Sequence, residues 1–270
     1  MRSIGDSAHA PWAAIRNFRP VHRMWCLPAN VSSSRPEKIS AKTANRLSAL
    51  QPVLRLYRNM PQECYQRGKV VIHPIEARSY QILSEQFDFT PYDGFQRSVV
   101  KRVIHATADF ELAGSLAFST GAAERAIAAI KAQSPVVCDV EMVRAGITSY
   151  ITECFLRQTE PTATGIPTRS YMAMAKAAQQ YPTNAIFVVG CAPTALYALI
   201  GLADQEWFKP ALVIGLPVGF VGASESKAAL RKSTLPYITN TGNKGGSPAA
   251  SAAFNSLVRI AKENRGHDDS

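Results

Sequence analysis

One stretch restricts this chain more than any other. The apolar run Ala211-Leu212-Val213-Ile214 feeds Gly215-Leu216-Pro217-Val218-Gly219-Phe220-Val221-Gly222, and a polar Ser224-Glu225-Ser226-Lys227 then opens an Ala-Ala-Leu run. A short apolar run bounded by turn residues predicts a buried strand. The glycines predict a loop built for close backbone approach. The polar opening predicts a helix N-terminus with a cation beside it, a setting that suits an anionic ligand. The pattern occurs earlier as Ala185–Val189 followed by Gly190-Cys191-Ala192-Pro193-Thr194. A third glycine-rich turn, Thr241 to Pro248, follows the weaker strand candidate Tyr237-Ile238-Thr239. Pro248 there suits the first position of a helix continuing through Ala249–Leu257.

Around these loops helical and strand periods alternate. Ile75–Phe87, Phe95–Thr107 and Gly121–Gln133 read as amphipathic helices, the second with Phe95, Val99, Val100, Val103 and Ile104 as its buried stripe. Pro135–Val140 is a short apolar run, and Tyr150–Phe155 a weaker strand candidate. Ser170–Gln180 and Ala195–Ala203 are helical segments lying between strands. This alternation predicts an α/β protein, a parallel sheet flanked by helices on both faces in a single domain over 70–265. Ligands of such sheets sit beyond the carboxyl ends of the strands, where the glycine-rich loops fall.

Charge narrows the choice of partners. The formal net charge is +10, but residues 1–69 hold 12 of the 30 Lys and Arg and only 3 of the 20 Asp and Glu, a net of +9. The body is therefore nearly neutral, and a nucleic-acid partner is not expected for it. Residues 1–69 lack sustained periodicity. An organellar transit peptide, a disordered basic arm, and a start assigned too far upstream with Met60 as the true start all fit them; residues 266–270 read as a tail. The five cysteines form no CxxC pair or zinc-type spacing, so no metal is expected and a reduced, cytoplasmic setting is the simplest reading. Cys138 and Cys191 read as core residues at strand edges. No apolar run reaches the ~18 residues of a transmembrane helix, so no membrane partner is expected.

His105 is the most interesting titratable group of the body. Lys101, His105 and Asp109 are spaced i, i+4, i+8, and such neighbours tune an imidazole that gives and takes a proton. The same spacing fits a half-exposed residue in an ordinary charge ladder. Arg78-Ser79 and Thr168-Arg169-Ser170 each combine a guanidinium with a hydroxyl, which suits a carboxylate; a surface arginine and a capping Thr or Ser fit them as well. Lys227, Lys244 and the backbone N–H groups of the third turn, Gly245 and Gly246 among them, favour an anion. None of the loops matches GxGxxG or GxxxxGK[ST], so neither a dinucleotide nor a nucleoside triphosphate is indicated. The residues alone support an α/β protein that binds a multiply anionic organic ligand.

The same residues resemble the precorrin-8X methylmutases of corrin biosynthesis. The likeness runs from about His73 to Ala261 and includes Arg78-Ser79, Arg102-Val103-Ile104-His105-Ala106, Cys138-Asp139-Val140-Glu141-Met142-Val143, Thr168-Arg169-Ser170, Ala192-Pro193-Thr194, the Pro217-to-Lys227 block and Gly245-Gly246-Ser247. The resemblance implies an isomerase that makes a 1,5-sigmatropic methyl shift on precorrin-8X or cobalt-precorrin-8, giving hydrogenobyrinate or cobyrinate. It implies His105 as proton donor and acceptor, and Ser79 and Arg169 as substrate contacts; Arg78, Thr168, Thr194, Lys227, Gly245 and Gly246 are expected to complete the substrate site. It further implies a homodimer and no cofactor. The family usually has Asn where Cys191 stands and Arg where Asn243 stands. A tetrapyrrole-binding protein of the same fold without turnover is the alternative.

Overall fold

The computed structural model describes residues 74–263; the expectations for residues 1–69 and 266–270 lie outside them. Helices α1 (Pro74–Gln86), α2 (Gly94–Thr107) and α3 (Phe110–Gly114) lead into strand β1 (Leu116–Phe118). Helix α4 (Ala122–Lys131), strand β2 (Val136–Cys138), helix α5 (Glu141–Gly146) and strand β3 (Glu153–Cys154) follow. The remainder alternates: α6 (Arg169–Gln180), β4 (Ile186–Val189), α7 (Pro193–Ile200), β5 (Leu212–Gly215), α8 (Ala223–Lys232), β6 (Tyr237–Asn240) and α9 (Ser247–Glu263).

These strands make one sheet in the order β1-β6-β5-β4-β2-β3. The neighbours from β6 to β3 pair in parallel, as the crossover helices require. The expectation of a wholly parallel sheet needs one correction, because β1 pairs antiparallel with β6 at the edge. Leu116-Ala117-Phe118 is too short to show a period of two, and only its pairing makes it a strand. The run expected over Tyr150–Phe155 shrinks to Glu153–Cys154, because Phe155–Gln158 winds into a 3-10 turn.

Alternation along the strands divides the core. Val136, Cys138, Ile186, Val188, Leu212, Ile214 and Ile238 point into one apolar layer, with Val99, Val100, Val103 and Ile104 of α2 and the inner face of α9. Val137, Phe187, Val189 and Val213 point into the other, with Ala177, Leu196, Leu199 and Leu230 from α6, α7 and α8. Strands with every residue buried are what a sheet covered on both faces needs. Helix α2 starts where the Asp93 carboxylate accepts from the Gln96 amide at 2.7 Å. It ends where Ala108 turns left-handed, its N–H bonding the Ile104 carbonyl. That stop leaves His105 in the last turn.

Candidate functional site

The loops after β4, β5 and β6 stand side by side, since those strands are adjacent and parallel. Their backbones are laced together. The Gly246 N–H bonds the Leu216 carbonyl at 2.8 Å, and the Gly219 N–H bonds the Asn243 carbonyl at 3.1 Å. Gly245 lies so close to the Leu216 and Pro217 carbonyls that a Cβ there would overlap both. The loop after β5 also meets the one after β4, because a Cβ on Gly222 would touch the Pro193 ring at 3.5 Å. Gly222 adopts a left-handed φ of 79°, which glycine takes without strain. The result is a continuous rim along the carboxyl edge of the sheet.

Several donors that the sequence offers to an anion are engaged inside this rim. The Lys227 side chain is fully buried, and its Nζ donates to Asn240 Oδ1 at 3.0 Å and to the Lys244 carbonyl at 2.6 Å. Burial without a carboxylate partner pulls its pKa down to about 8. Lys227 therefore holds the 241–246 loop rather than presenting a cation at the surface. Lys244 turns outward to Asp109 at 2.9 Å and Glu111 at 2.8 Å, and the Gly246 amide is already paired with Leu216.

The loop after β4 carries its own anion. The Asp139 carboxylate, 2% exposed at the end of β2, accepts the Gly190 amide at 3.1 Å through Oδ1. Its Oδ2 accepts the Cys191 and Ala192 amides, both at 2.8 Å. Burial raises the Asp139 pKa, and these amides oppose the rise. Gly190 has no space for a side chain, since a Cβ would overlap Val143 and Ala250. Cys191 itself is exposed, which corrects its reading as a core residue; it contributes a backbone N–H to the clamp.

Beyond this loop the predicted polar residues gather. Thr168 Oγ1 bonds Thr194 Oγ1 at 2.7 Å and also caps α6 by accepting the Tyr171 amide. Arg169 is exposed next to it, with Nε on the Thr159 carbonyl at 2.7 Å. Arg78 is exposed on α1 and bonds Gln81 within its own helix.

His105 is half-buried between α1 and α2. Its Nδ1 lies 3.0 Å from Ser79 Oγ, and among the described residues its Nε2 has no hydrogen-bond partner. The expected ladder of Lys101, His105 and Asp109 does not form. Asp109 lies beyond the end of α2, where it caps α3 through the Leu112 amide and pairs with Lys244, and Lys101 packs over the Phe89 ring. The Tyr80 ring lies 5.1 Å from the imidazole, tilted by 30°. Burial raises the Tyr80 pKa, so the phenol stays protonated and donates to Glu76, which also pairs with Arg102 at 2.8 Å. Sequence reasoning missed Tyr80 and Asp139 as parts of the site. A cavity of about 630 Å³ among α1, α2 and α9 is lined by Tyr80, Arg102, Asn255 and Arg259, not by the rim.

A surface ion pair is among the contacts that link the two regions. The Lys244–Asp109 pair ties the rim to the corner just after α2, four residues beyond His105. The structure therefore pairs Ser79 with His105, Thr168 with Thr194, and Lys227 with the Gly245-Gly246 loop, and joins the last group to the end of the histidine's helix.

Residues 74–260 match the family described as precorrin-8X methylmutase. A cobalt-precorrin-8 methylmutase of Priestia megaterium is 40% identical over 199 residues, 69% of this chain and 87% of the relative. A precorrin-8X methylmutase of a Sinorhizobium species is 33% identical over 210 residues, 74% of this chain and 99% of the relative. The crystal structure of a precorrin-8X methylmutase from Thermus thermophilus superposes with a TM-score of 0.64 at 35% identity, covering 70% of this chain and 96% of that one.

Proposed function

This chain belongs to the precorrin-8X methylmutase family, and from that premise we propose that His105 is the group that lends a proton to the corrin precursor. The chain is an isomerase of cobalamin biosynthesis. The substrate we assign is precorrin-8X or cobalt-precorrin-8, held with residues 70–265 as the catalytic domain. The acting form we assign is a cytoplasmic homodimer that uses no cofactor and no nucleic acid.

The methyl shift is redox-neutral. One carbon–carbon bond breaks as its neighbour forms, and the ring π electrons shift to match. A proton placed on the macrocycle biases those electrons, and the same imidazole takes it back at the end, so no proton is gained or lost. The observation that carries this reading is the His105–Ser79 pair, with Nδ1 held at 3.0 Å and the far nitrogen without a partner among the described residues. When the ring is protonated, Nδ1–H donates to Ser79 Oγ and Nε2–H is free to reach substrate. Once Nε2 has given up its proton, Nδ1–H still donates to Ser79 Oγ, and the bare Nε2 is the atom that takes the proton back. Tyr80 fixes the plane of the ring from one side. Arg169, Thr168 and Thr194 supply polar contacts for substrate carboxylates, with Arg78 and Ser79 at the histidine. Gly245 and Gly246 shape the surface the ring rests against. Lys227 acts behind them.

The test is turnover of metal-free and cobalt-loaded substrate, followed by the absorbance spectrum, for wild type and His105→Ala. The expected result is a variant that still binds while its rate falls by about 10²- to 10⁴-fold, the usual share of a general acid–base group. A wild-type protein that binds substrate but never moves the methyl would mark it as a binding protein instead.

A further inference from the structure

The structure assigns Asp139 a positioning role: its buried carboxylate stands where the glycine-rich loop after β4 would otherwise take an anion from outside, and it thereby fixes Thr194 for the substrate. The inference rests on the proposed contact between Thr194 and substrate. Three consecutive amides, Gly190, Cys191 and Ala192, converge on the two oxygens of one side chain at 2.8 to 3.1 Å. Such convergence of N–H groups on one anion is how backbone loops cradle phosphates and carboxylates. Here the anion comes from the neighbouring strand, and the site is closed, because Asp139 is 2% exposed. The Asp139 backbone extends the β2–β4 ladder, its N–H bonding the Val188 carbonyl, so the carboxylate is placed by the sheet itself. From Ala192 the chain enters α7 through Pro193, and Thr194, in the first turn, meets Thr168 at 2.7 Å. The loop side chain at 191 takes no part, so the clamp is indifferent to the departure from the family's usual Asn there.

This loop therefore contributes a hydroxyl to the ligand, not its amides. Asp139→Asn tests that with little change of shape, since it replaces one acceptor oxygen by an NH₂ that opposes one or two of the amides. The measurements are the ¹H–¹⁵N signals of residues 190–192, KM and kcat on the corrin precursor, and the dissociation constant of hydrogenobyrinate as a probe that needs no turnover. In wild type, the three amides should hold their positions when hydrogenobyrinate is added while Thr194 responds. Amides that shift strongly with the ligand would show that they bind it, and would overturn the inference even if Asp139→Asn fails to fold. For the folded variant the expectation is a KM about tenfold higher, the size of one lost charge-assisted hydrogen bond, with kcat within about threefold. Thr194→Ala should raise KM similarly, and the double variant little further. Effects that multiply, or a fall in kcat with KM unchanged, would also overturn it, as would a variant that melts lower yet keeps both constants. If Thr194→Ala leaves the hydrogenobyrinate dissociation constant unchanged, the substrate contact proposed above has failed, while the wild-type amide signals still decide the clamp.

Discussion

The rim of strand-end loops and the α1–α2 helix pair solve opposite problems. In the rim, charged and polar groups are engaged inward: Asp139 takes three amides, Lys227 takes an amide oxygen and a carbonyl, and Gly246 bonds Leu216. In the helix pair, one imidazole nitrogen is anchored and the other has no partner among the described residues. A region whose donors are satisfied internally holds its shape without a ligand, as preorganised binding surfaces must. A region with an open titratable nitrogen has chemistry left to perform. On the proposed function, the molecule separates holding the corrin precursor from protonating it.

That contrast is open to attack at Gly245. A methyl group there overlaps two backbone carbonyls, and backbone cannot swing aside as a side-chain end can. Gly245→Ala should cost about 1–3 kcal/mol or more of stability, the range for overpacking a filled site, read as a drop in denaturation midpoint. A variant that melts like wild type would show a rim looser than these contacts imply.

Lys227 gives the contrast a pH signature. Its folded pKa, about 8, lies below that of an unfolded lysine, so above pH 8 the unfolded chain holds the more protons. Stability contributed by this group must therefore rise with pH from about 8 to about 10 and be flat below. In denaturant titrations, wild type should gain on Lys227→Met over that window. A constant difference between the two would mean the ammonium is not shielded from water.

On the helix side, Ser79→Ala should act on rate and leave the fold alone. Loss of one orienting hydrogen bond, about 1 kcal/mol, predicts a fall in kcat of roughly fivefold to tenfold with the melting curve unmoved. If instead KM rises alone, Ser79 belongs with the holding residues and the division drawn above fails at its central pair.

These two regions were legible in the sequence to different degrees, for physical reasons. The strands after which the loops fall were readable because Gly and Pro punctuate short apolar runs, as at Val189-Gly190 and Ile214-Gly215. What those glycines approach was not readable. A glycine-rich loop announces close contact but not its partner, and here the partner of Gly245 is another loop, not an anion. The Asp139 clamp joins residues 51 to 53 positions apart through main-chain amides, which have no sequence signature. Ser79 and His105 were each singled out, yet their bond across 26 residues depends on how α1 crosses α2. Tyr80 carried no signal for this role, since an aromatic beside a polar helix face looks the same whether or not it packs against a histidine. Asp109 was misplaced because a periodicity argument assumes the helix continues, and Ala108 ends it.

The smallest effect is expected at the surface ion pair between the regions. Lys244 reaches Asp109 and Glu111 from the rim, but the contact lies in solvent, where ion pairs are screened and their side chains lose entropy to hold one geometry. The pair does hold the Asp109 carboxyl below its usual range, after the larger contribution of the Leu112 amide that it caps. Because the cap survives without the lysine, Lys244→Gln should leave the melting curve within scatter of wild type, and any difference should vanish as salt is raised. Turnover should change by no more than about twofold to threefold, because the backbone lacing of the rim and the Ser79–His105 bond are both untouched. A loss comparable to that of Gly245→Ala would mean that this surface pair, and not the backbone lacing, sets the distance between the holding surface and the imidazole.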